Sequence, residues 1–368
     1  MNDRHHASAR RLALLRAGLA ERGLAGLVVT HLPNVRYLTG FSGSSAWLLV
    51  GRDMALFATD GRYEQQAQEE LATEAELEVS IARDGQLGAV AERAAKEYAG
   101  SEVGFEARHL VYGDWEKLRE GGAVEWTATT GLVEGLRAVK DDTEIEMIRR
   151  AADIAVSALR DTLPLVKGGV TERELAAELD YRMIRRGAEG PAFDTIVASG
   201  QRTALPHAQT SARRIRSGDL LLWDFGARWN GYCCDLTRTF VIGEPDARQT
   251  GVYLSVVAAH EAASQNLREG VPGREVDGAV RRVFGSEGLE DRFAHSTGHG
   301  LGLEVHESPR LSRQSEEALV RHMVVTVEPG LYFPGWGGVR IENDYVVNLD
   351  GAALLADLEY ERLQSLDE

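Results

Sequence analysis

The sequence predicts an α/β (α+β) protein of two domains, the second built from two similar halves. A chain of 368 residues is long enough for two ordinary domains, each with its own core. Helical and strand patterns alternate up to about residue 130. A weak internal repeat follows, in which segments 101 residues apart resemble each other.

The first 130 residues alternate between amphipathic helices and short apolar strands. The spacing of apolar residues predicts a helix over 11–21 and another from Tyr63 onward. Short apolar runs predict strands at 27–30, 46–50 and 54–58. Such an order of elements is typical of an α/β domain.

The domain boundary is expected where this periodicity lapses, at residues 131–141. The next segment opens with Thr143 and Glu146, which have the spacing of a capping box and precede apolar residues at helical spacing. We therefore expect a first domain over 1–130, a linker over 131–141 and a second domain over 142–368.

The repeat within the second domain is short. Each copy follows a predicted helix and precedes a glycine-containing turn and strands. Helical periodicity alone would produce part of the similarity, but a pseudo-twofold domain with a site between its halves is the reading we favour. The matched residues are Gly169, Val170, Arg173, Glu174 and Leu175 in the first copy, and Gly270, Val271, Arg274, Glu275 and Val276 in the second.

Composition excludes several classes of protein. No apolar run approaches the roughly 18 to 20 residues that cross a bilayer, so no membrane partner is expected. Acidic residues outnumber basic ones 57 to 41, so no nucleic-acid partner is expected. The basic N-terminal segment lacks a leader cleavage site, and adjacent Cys233 and Cys234 cannot pair with each other in a strand. These features favour a reducing, cytoplasmic location.

Two aspartates lie on a predicted β-hairpin. Strands at 220–225 and 232–241 flank the turn signal Asn230-Gly231. In one register Asp224 lies opposite Thr237 with Asp235 as its diagonal neighbour, and in a register shifted by one residue the two aspartates are directly opposed. Both registers place them on one face. Either both carboxylates reach solvent, or a cation lies between them.

A second carboxylate pair and a histidine cluster follow. Strands on either side of a turn near Gly335 would set Glu328 opposite Glu342, among core-like valine and isoleucine residues. Between the two hairpins, three histidines alternate with glycines that leave room for a ligand to approach the backbone. A single buried histidine is usually structural, but three beside four inward-facing carboxylates favour a binding site. The histidines are His295, His299 and His306.

Charge arithmetic favours a dinuclear metal site. Four carboxylates balance two divalent cations, and one neutral imidazole completes the set. Oxygen and imidazole ligands suit Mn²⁺, Zn²⁺ or Co²⁺, and a structural zinc site built from thiolates is not expected. Two such ions, about 3.5 to 4 Å apart, can activate a water molecule and polarise a carbonyl group. This pattern is typical of a hydrolase.

At these motifs the chain resembles the pita-bread metallopeptidases, in particular the Xaa-Pro branch that contains aminopeptidase P and prolidase. The resemblance covers nearly the whole chain, because the first 130 residues resemble the creatinase-type N-terminal domain of that branch. The motifs that carry it are FDTIVASGQRTALPHA (193–208), WDFG with CCDLTRTF, GHGLGLEVHE, VEPGLY and VRIEND (339–344). It implies a creatinase-like domain followed by a pita-bread domain.

The same resemblance implies roles for particular residues. It makes Asp224, Asp235, His299, Glu328 and Glu342 the ligands of two metal ions, with Asp235 and Glu342 as bridges. His207 and His306 would flank the scissile bond and stabilise the oxyanion. Glu328 would also carry the proton to the leaving nitrogen. Arg340 would orient a metal-binding carboxylate, unless it forms an ordinary surface ion pair. The two histidines could also be structural.

Three further residues would contact the substrate. His295 would line the proline side of the cleft, and Tyr332 would lie near that slot. Arg310 is at the position where similar prolidases bind the carboxylate of a dipeptide. A slot without hydrogen-bonding groups suits proline, because the X-Pro bond is a tertiary amide with a fixed φ and no N–H.

These features predict hydrolysis of the Xaa-Pro bond at the free amino terminus of a peptide. We favour aminopeptidase P over prolidase, because no extra loop after Glu307 excludes longer peptides, although Arg310 supports prolidase. Methionine aminopeptidase lacks this N-terminal domain, and creatinase lacks the metal ligands. A non-catalytic peptide-binding module is the remaining alternative. The resemblance also implies a homodimer.

Overall fold

Contacts divide the chain into two units, with the division between Arg137 and Ala138. The structure, a computed structural model, describes residues 2–71, 76–82, 85–120 and 122–367. The division lies within the segment expected to be a linker. That segment contains a short helix, α6 (Leu132–Ala138), which the lapse in periodicity did not predict.

The first unit is an α/β domain built on one six-stranded sheet. Its sheet order is β4-β3-β2-β1-β5-β6, in which β1, β2 and β3 pair antiparallel and the other pairs are parallel. The predicted helices and strands are present, and the first helix begins at Asn2 rather than at Arg11. The elements are α1 (Asn2–Glu21), β1 (Gly26–Val29), α2 (Leu32–Thr39), β2 (Ala46–Gly51), β3 (Ala55–Thr59), α3 (Glu64–Leu71), β4 (Leu77–Ile81), α4 (Gln86–Glu97), β5 (Glu102–Glu106), α5 (Tyr112–Glu120), β6 (Glu125–Thr129) and α6.

The second unit begins with helix α7 (Asp142–Thr162), whose N-terminal cap differs from the prediction. Asp141, not Thr143, is the N-cap residue, and its Oδ1 accepts a hydrogen bond from the Glu144 backbone N (3.0 Å). Glu144 Oε2 accepts in turn from the Asp141 N (2.9 Å). The predicted Thr143–Glu146 box is therefore wrong. Two overlapping pairs share the same spacing, and the earlier one begins the helix.

This unit consists of helices and sheets whose strands pair antiparallel, except that β20 pairs parallel with β12. The larger sheets have the orders β20-β12-β9-β8 and β14-β13-β15-β18-β19. Among the described residues, no helix has the length and apolar character to span a membrane. The elements are α7 (Asp142–Thr162), α8 (Glu172–Arg185), β7 (Gly190–Pro191), β8 (Ile196–Ser199), β9 (Leu220–Phe225), β10 (Ala227–Trp229), β11 (Tyr232–Cys233), β12 (Leu236–Ile242), α9 (Ala247–Ser264), α10 (Gly273–Ser286), β13 (Gly298–Gly300), β14 (Glu307–Leu311), β15 (Val324–Val327), β16 (Gly330–Phe333), β17 (Gly337–Arg340), β18 (Asn343–Val347), β19 (Ala352–Leu354) and β20 (Gln364–Leu366).

Burial and backbone hydrogen bonds confirm the repeat. Every buried residue of α9 lies 101 positions after a buried residue of α7, so the two helices present equivalent faces to their cores. The turns before α8 and α10 are also held alike. Gly169 N donates to Ile215 O, and Gly270 N donates to Leu319 O. The pseudo-twofold architecture, which was predicted from a few matched residues 101 positions apart, is therefore present.

Candidate metal centre

The aspartate hairpin has the first of the two predicted registers. Trp229 pairs with Tyr232 around Asn230 and Gly231, whose positive φ angles of 49° and 85° are those expected of an Asn-Gly hairpin turn. Farther along the same ladder, Asp224 lies opposite Thr237. This register follows directly from the turn.

The second strand of this hairpin is interrupted, which the sequence did not predict. It consists of β11 and β12, with Cys234 and Asp235 between them. The partner strand approaches so closely here that a Cβ on Gly226 would lie 1.9 Å from Cys234 O. The Asp235 backbone N donates instead to Asp344 Oδ2 (3.0 Å). Asp235 therefore lies at a break in the ladder, held from β18.

The predicted glutamate pair lies at the end of the second hairpin. Gly330 pairs with Arg340 in the β16–β17 ladder, and the same register extended by two residues brings Glu328 opposite Glu342. Thr237 joins the two hairpins: it forms a β-bridge with Glu342, and its Oγ1 donates to Glu342 Oε2 (2.7 Å).

His299 on β13 is oriented as a metal ligand. Its Nδ1 donates to Gly300 O (3.0 Å), so the proton is on Nδ1 and the Nε2 lone pair is free. Nε2 lies 3.7 Å from Glu328 Oε1 and 3.8 Å from Asp235 Oδ2. Burial lowers the pKa of His299 to about 4, so the ring is neutral at pH 7.

Asp235, His299 and Glu342 form a group with metal-binding geometry. Each offers one ligand atom, and these atoms all lie within 4.8 Å of one another. The Oδ1 atom of Asp235 is buried and has no hydrogen-bond partner among the described residues. Burial and the Asp224 carboxylate raise the pKa of Glu342 to about 7, and burial and Glu342 raise that of Asp235 well above its usual value. Uncompensated carboxylates of this kind fit divalent cations.

Asp224 is held beside this group by Arg340. The Arg340 Nη2 donates to Asp224 Oδ2 (2.5 Å), and its Nε donates to the Thr237 Oγ1 (3.1 Å). Arg340 is 3 % exposed, so this is a buried contact and not a surface ion pair. Its Nη1 donates to Pro206 O (3.1 Å) and to the Tyr332 hydroxyl (3.0 Å). Arg340 thus joins Asp224 to two other parts of the site.

His295 and Tyr332 form one hydrogen-bonded unit next to Glu328. His295 Nδ1 donates to Ser296 O (2.8 Å), so the neutral ring has its lone pair on Nε2 and accepts there from the Tyr332 hydroxyl (2.8 Å). Burial lowers the pKa of His295 to about 3 and raises that of Tyr332 to about 12. Both side chains are therefore neutral, with their polar atoms already paired.

The remaining predicted residues are exposed near the metal-binding group. His306 packs its ring 4.5 Å from that of His299, centroid to centroid. Arg310, on β14, is the direct cross-strand neighbour of His299. Burial and the Arg310 guanidinium lower the pKa of His306. His207 lies in the connection after β8, which is the second strand of this unit because the short β7 comes first. The His207 ring interacts electrostatically with Asp224 and with His306.

Sequence reasoning missed two residues that hold candidate ligands. Thr237 holds Glu342, and Asp344 holds the backbone of Asp235. Each lies two positions after a predicted ligand. The alternation of side chains along a strand places such residues on one face, and that signal could have found both.

Two parts of the chain match known protein families. Residues 146–348 match Metallopeptidase family M24, and residues 11–139 match the Creatinase/Prolidase N-terminal domain. An Xaa-Pro dipeptidase of Pyrococcus horikoshii is 34% identical over 93% of this chain and 95% of its own length.

Two solved structures are similar throughout. The Xaa-Pro dipeptidase from Bacillus anthracis is 37% identical, with a TM-score of 0.93, and the match covers 98% of this chain and all of that one. The X-Pro aminopeptidase from Thermotoga maritima is 34% identical, with a TM-score of 0.86, over 94% of this chain and 98% of that one.

Fold and site together define a two-part metallopeptidase with a creatinase-type first domain and a pita-bread second domain. The chain belongs to Metallopeptidase family M24. It is a metallo-exopeptidase whose cofactors are divalent metal ions.

Proposed function

We propose that this chain hydrolyses the Xaa-Pro bond next to the free amino terminus of short peptides. The observation that carries the proposal is the buried group of Asp235, His299 and Glu342, with the exposed histidines His207 and His306 nearby. The relatives named Xaa-Pro dipeptidase and X-Pro aminopeptidase support the choice of bond.

Two divalent ions would be held by Asp224, Asp235, His299, Glu328 and Glu342. When bound, such ions activate water and polarise the scissile carbonyl. The protein prepares their ligands: the Nδ1–H of His299 is tied to Gly300 O, which leaves Nε2 free, and Thr237 holds one oxygen of Glu342.

The chain's own groups would serve the developing charge and the proton. His207 and His306 are accessible and would donate hydrogen bonds to the oxyanion. Glu328 would carry a proton to the leaving proline nitrogen through a carboxylate oxygen. Arg340 would hold Asp224 in place while these changes occur.

Proline selectivity would follow from the wall formed by His295 and Tyr332. Because the hydrogen-bonding atoms of both side chains are paired with protein groups, this wall offers a neutral surface. The ring of Phe293 packs edge-on against His295, with 5.0 Å between centroids. The ring of a prolyl residue, which has no N–H, loses no hydrogen bond in such a place.

Of the two substrate lengths, we propose the dipeptide. Arg310 is exposed, lies directly across from His299 and forms no ion pair among the described residues, so it could bind a free carboxylate two residues from the amino terminus. The aminopeptidase predicted from sequence is the second candidate. It is supported by strand β14, which begins at Glu307 directly after His306 and leaves no inserted loop there.

The test is hydrolysis of a matched Xaa-Pro dipeptide and Xaa-Pro-Xaa tripeptide by metal-stripped protein, before and after addition of Mn²⁺ or Zn²⁺. We expect metal-dependent cleavage of the dipeptide. Arg310→Met should raise KM for the dipeptide, and Arg313→Met, an exposed neighbour, should not. Efficient tripeptide cleavage that Arg310→Met leaves unchanged would favour the aminopeptidase.

If neither peptide is cleaved with Mn²⁺, Zn²⁺ or Co²⁺, the proposed reaction is wrong. Calorimetric titration with the same peptides then distinguishes the remaining alternative, because a non-catalytic module would bind them intact.

We further propose two ions per chain, Mn²⁺ or Zn²⁺ with Co²⁺ as a substitute, a homodimer and a cytoplasmic location. The ligand set supports the ions, since carboxylates and imidazole suit these metals. Both cysteines are buried free thiols, which supports a reducing compartment. Elemental analysis of the purified protein and its mass by light scattering test the first two proposals, and fractionation of cells tests the third.

A further inference from the structure

His207 lies on the long connection between β8 and β9, in a stretch whose two ends, Ser199 and Ser211, are both bound to one buried carboxylate. We call residues 199–211 the His207 loop. Glu172, the first residue of α8, is fully buried. Its Oε1 accepts from the backbone N and the Oγ of Ser199, both at 2.8 Å, and its Oε2 accepts from the backbone N (3.0 Å) and the Oγ (2.6 Å) of Ser211. Glu172 therefore holds the two ends of the His207 loop together.

The first part of the loop, directly after β8, is fixed by a different residue. Thr203 is completely buried, and its hydroxyl donates to Gly200 O (2.8 Å) while accepting from the backbone N of Gly338 in β17 (2.8 Å). The two backbones are in direct contact, since a Cβ on Gly338 would lie 2.5 Å from Thr203 O. One hydroxyl thus bridges the loop to the β16–β17 hairpin.

A second contact holds the loop next to His207, but it also serves the metal site. Pro206 O accepts from Arg340 Nη1 (3.1 Å), and the same guanidinium donates to Asp224. A change at Arg340 would disturb a candidate ligand and the loop together. Thr203 touches none of the five candidate ligands in the contacts of the described residues, so its contribution can be measured separately.

We propose that Thr203 is a positioning residue that sets the place of His207 relative to the metal centre. This inference rests on the proposed function. An oxyanion donor must lie within about 2.7 to 3.1 Å of the developing charge, and a displacement of about 1 Å can cost up to 100-fold in rate. His207 is four residues from Thr203 on an exposed stretch, so the buried bridge determines where the imidazole can reach.

The test compares Thr203→Val, which keeps the shape and removes both hydrogen bonds, with Thr203→Ser, which keeps them. We expect Thr203→Val to lower kcat for an Xaa-Pro dipeptide by about 10- to 100-fold, and Thr203→Ser to stay within about threefold of wild type. Bound metal, measured by elemental analysis, should be the same in both variants.

A double-mutant cycle separates positioning from general damage to the fold. In protein that already carries His207→Ala, the Thr203→Val change should have no further effect on kcat, because the group it positions is gone. Equal losses in both backgrounds would overturn the proposal. So would wild-type activity in Thr203→Val.

A measurement that needs no activity keeps this proposal apart from the proposed reaction. Amide hydrogen exchange in Thr203→Val should quicken at Gly338 and through the His207 loop, with little change in the first unit. Unchanged exchange there would overturn the bridge itself. Absence of Xaa-Pro hydrolysis by wild-type protein, with exchange as expected, would instead contradict the proposed reaction.

Discussion

The first turns of α8 and α10 occupy equivalent positions in the repeat, yet they contact the segments packed against them in different ways. One uses a long side chain, and the other has no side chain at all. Glu172 begins α8, and its carboxylate spans the space to Ser199 and Ser211. Its equivalent 101 residues later is Gly273, which begins α10. A Cβ on Gly273 would lie 2.3 Å from Arg310 O, so the chain packs directly on the helix.

This difference shows how two halves with the same backbone arrangement can place different residues near the site. The helices and the turns before them are alike in both halves, but a buried acid in one half supports the loop of His207. A missing side chain in the other half lets strand β14, which carries Arg310, approach. The backbone arrangement is common to both halves. A single residue at the start of the helix in each half determines how close a candidate substrate-contacting residue lies to that helix.

The largest expected effect comes from removing one ligand in each half. Asp235→Ala in the first half and Glu342→Ala in the second should each lose bound metal and lower peptidase activity by roughly 10³-fold or more, since both halves complete one site. Elemental analysis and a dipeptide assay measure this. An active, metal-loaded variant of either kind would contradict the shared site.

The matched positions at the helix starts give the next largest effect. Glu172→Ala leaves two backbone amides without their acceptor and should lower the free energy of unfolding by about 3 kcal/mol. Gly273→Ala forces a side chain against Arg310 O and should cost about 2 kcal/mol. Denaturant titration measures both.

Glu316→Ala is a suitable control for this pair, because the Glu316 side chain is 85% exposed and should leave stability unchanged within about 0.5 kcal/mol. If Glu172→Ala changed the free energy of unfolding as little as this control does, the Glu172 carboxylate would not be what holds the two ends of the His207 loop together.

Arg340 belongs to the second half but donates a hydrogen bond to Asp224 of the first. Substitution of Arg340 therefore tests whether this contact between the halves supports metal binding. Arg340→Lys keeps the charge but cannot donate to Thr237, Tyr332 and Asp224 together. We expect metal affinity to fall about 10- to 100-fold, as for other residues that orient ligands. Titration with Mn²⁺ measures it, and unchanged affinity would mean that Asp224 needs no such support.

The smallest effect concerns His260, which is fully buried where the first half has Leu159, 101 residues earlier. Burial lowers the pKa of His260 to about 3, against 6.5 as its ordinary value. As the pH falls below 6.5 the unfolded chain takes up this proton first, so stability is present above that pH and lost below it.

Between pH 7 and 5.5 the loss of stability due to His260 should be about 1.3 kcal/mol in wild type. In His260→Leu it should be absent, so the difference in unfolding free energy between the two proteins should change by that amount. A difference that does not vary with pH would show that His260 is protonated equally in both states.

The sequence was informative where local rules decide. The Asn-Gly turn set the register of Asp224 against Thr237, and spacing across Gly335 set Glu328 opposite Glu342. It was ambiguous where two local patterns compete, as with the overlapping pairs Asp141–Glu144 and Thr143–Glu146, of which the structure uses the first.

It was silent where contacts join distant parts of the chain. The hydrogen bonds from Gly338 to Thr203 and from Arg340 to Pro206 each join residues more than a hundred positions apart, and no periodicity in the sequence indicates them. The interruption at Asp235 likewise depends on a carboxylate from β18. The sequence was therefore enough to propose candidate ligands and a supporting role for Arg340, but the contacts that hold the His207 loop and the backbone of Asp235 were not predicted.

The parallel pairing of β20 with β12 has a consequence for the order of assembly. Phe240 pairs with Gln364, and Arg238 donates to Leu358 O and Glu359 O, so the sheet behind Asp224 is completed by chain more than a hundred residues downstream. During synthesis, the edge of β12 stays open until those residues emerge. Capture of metal should therefore follow translation of this segment, and chains truncated before residue 358 should purify without it.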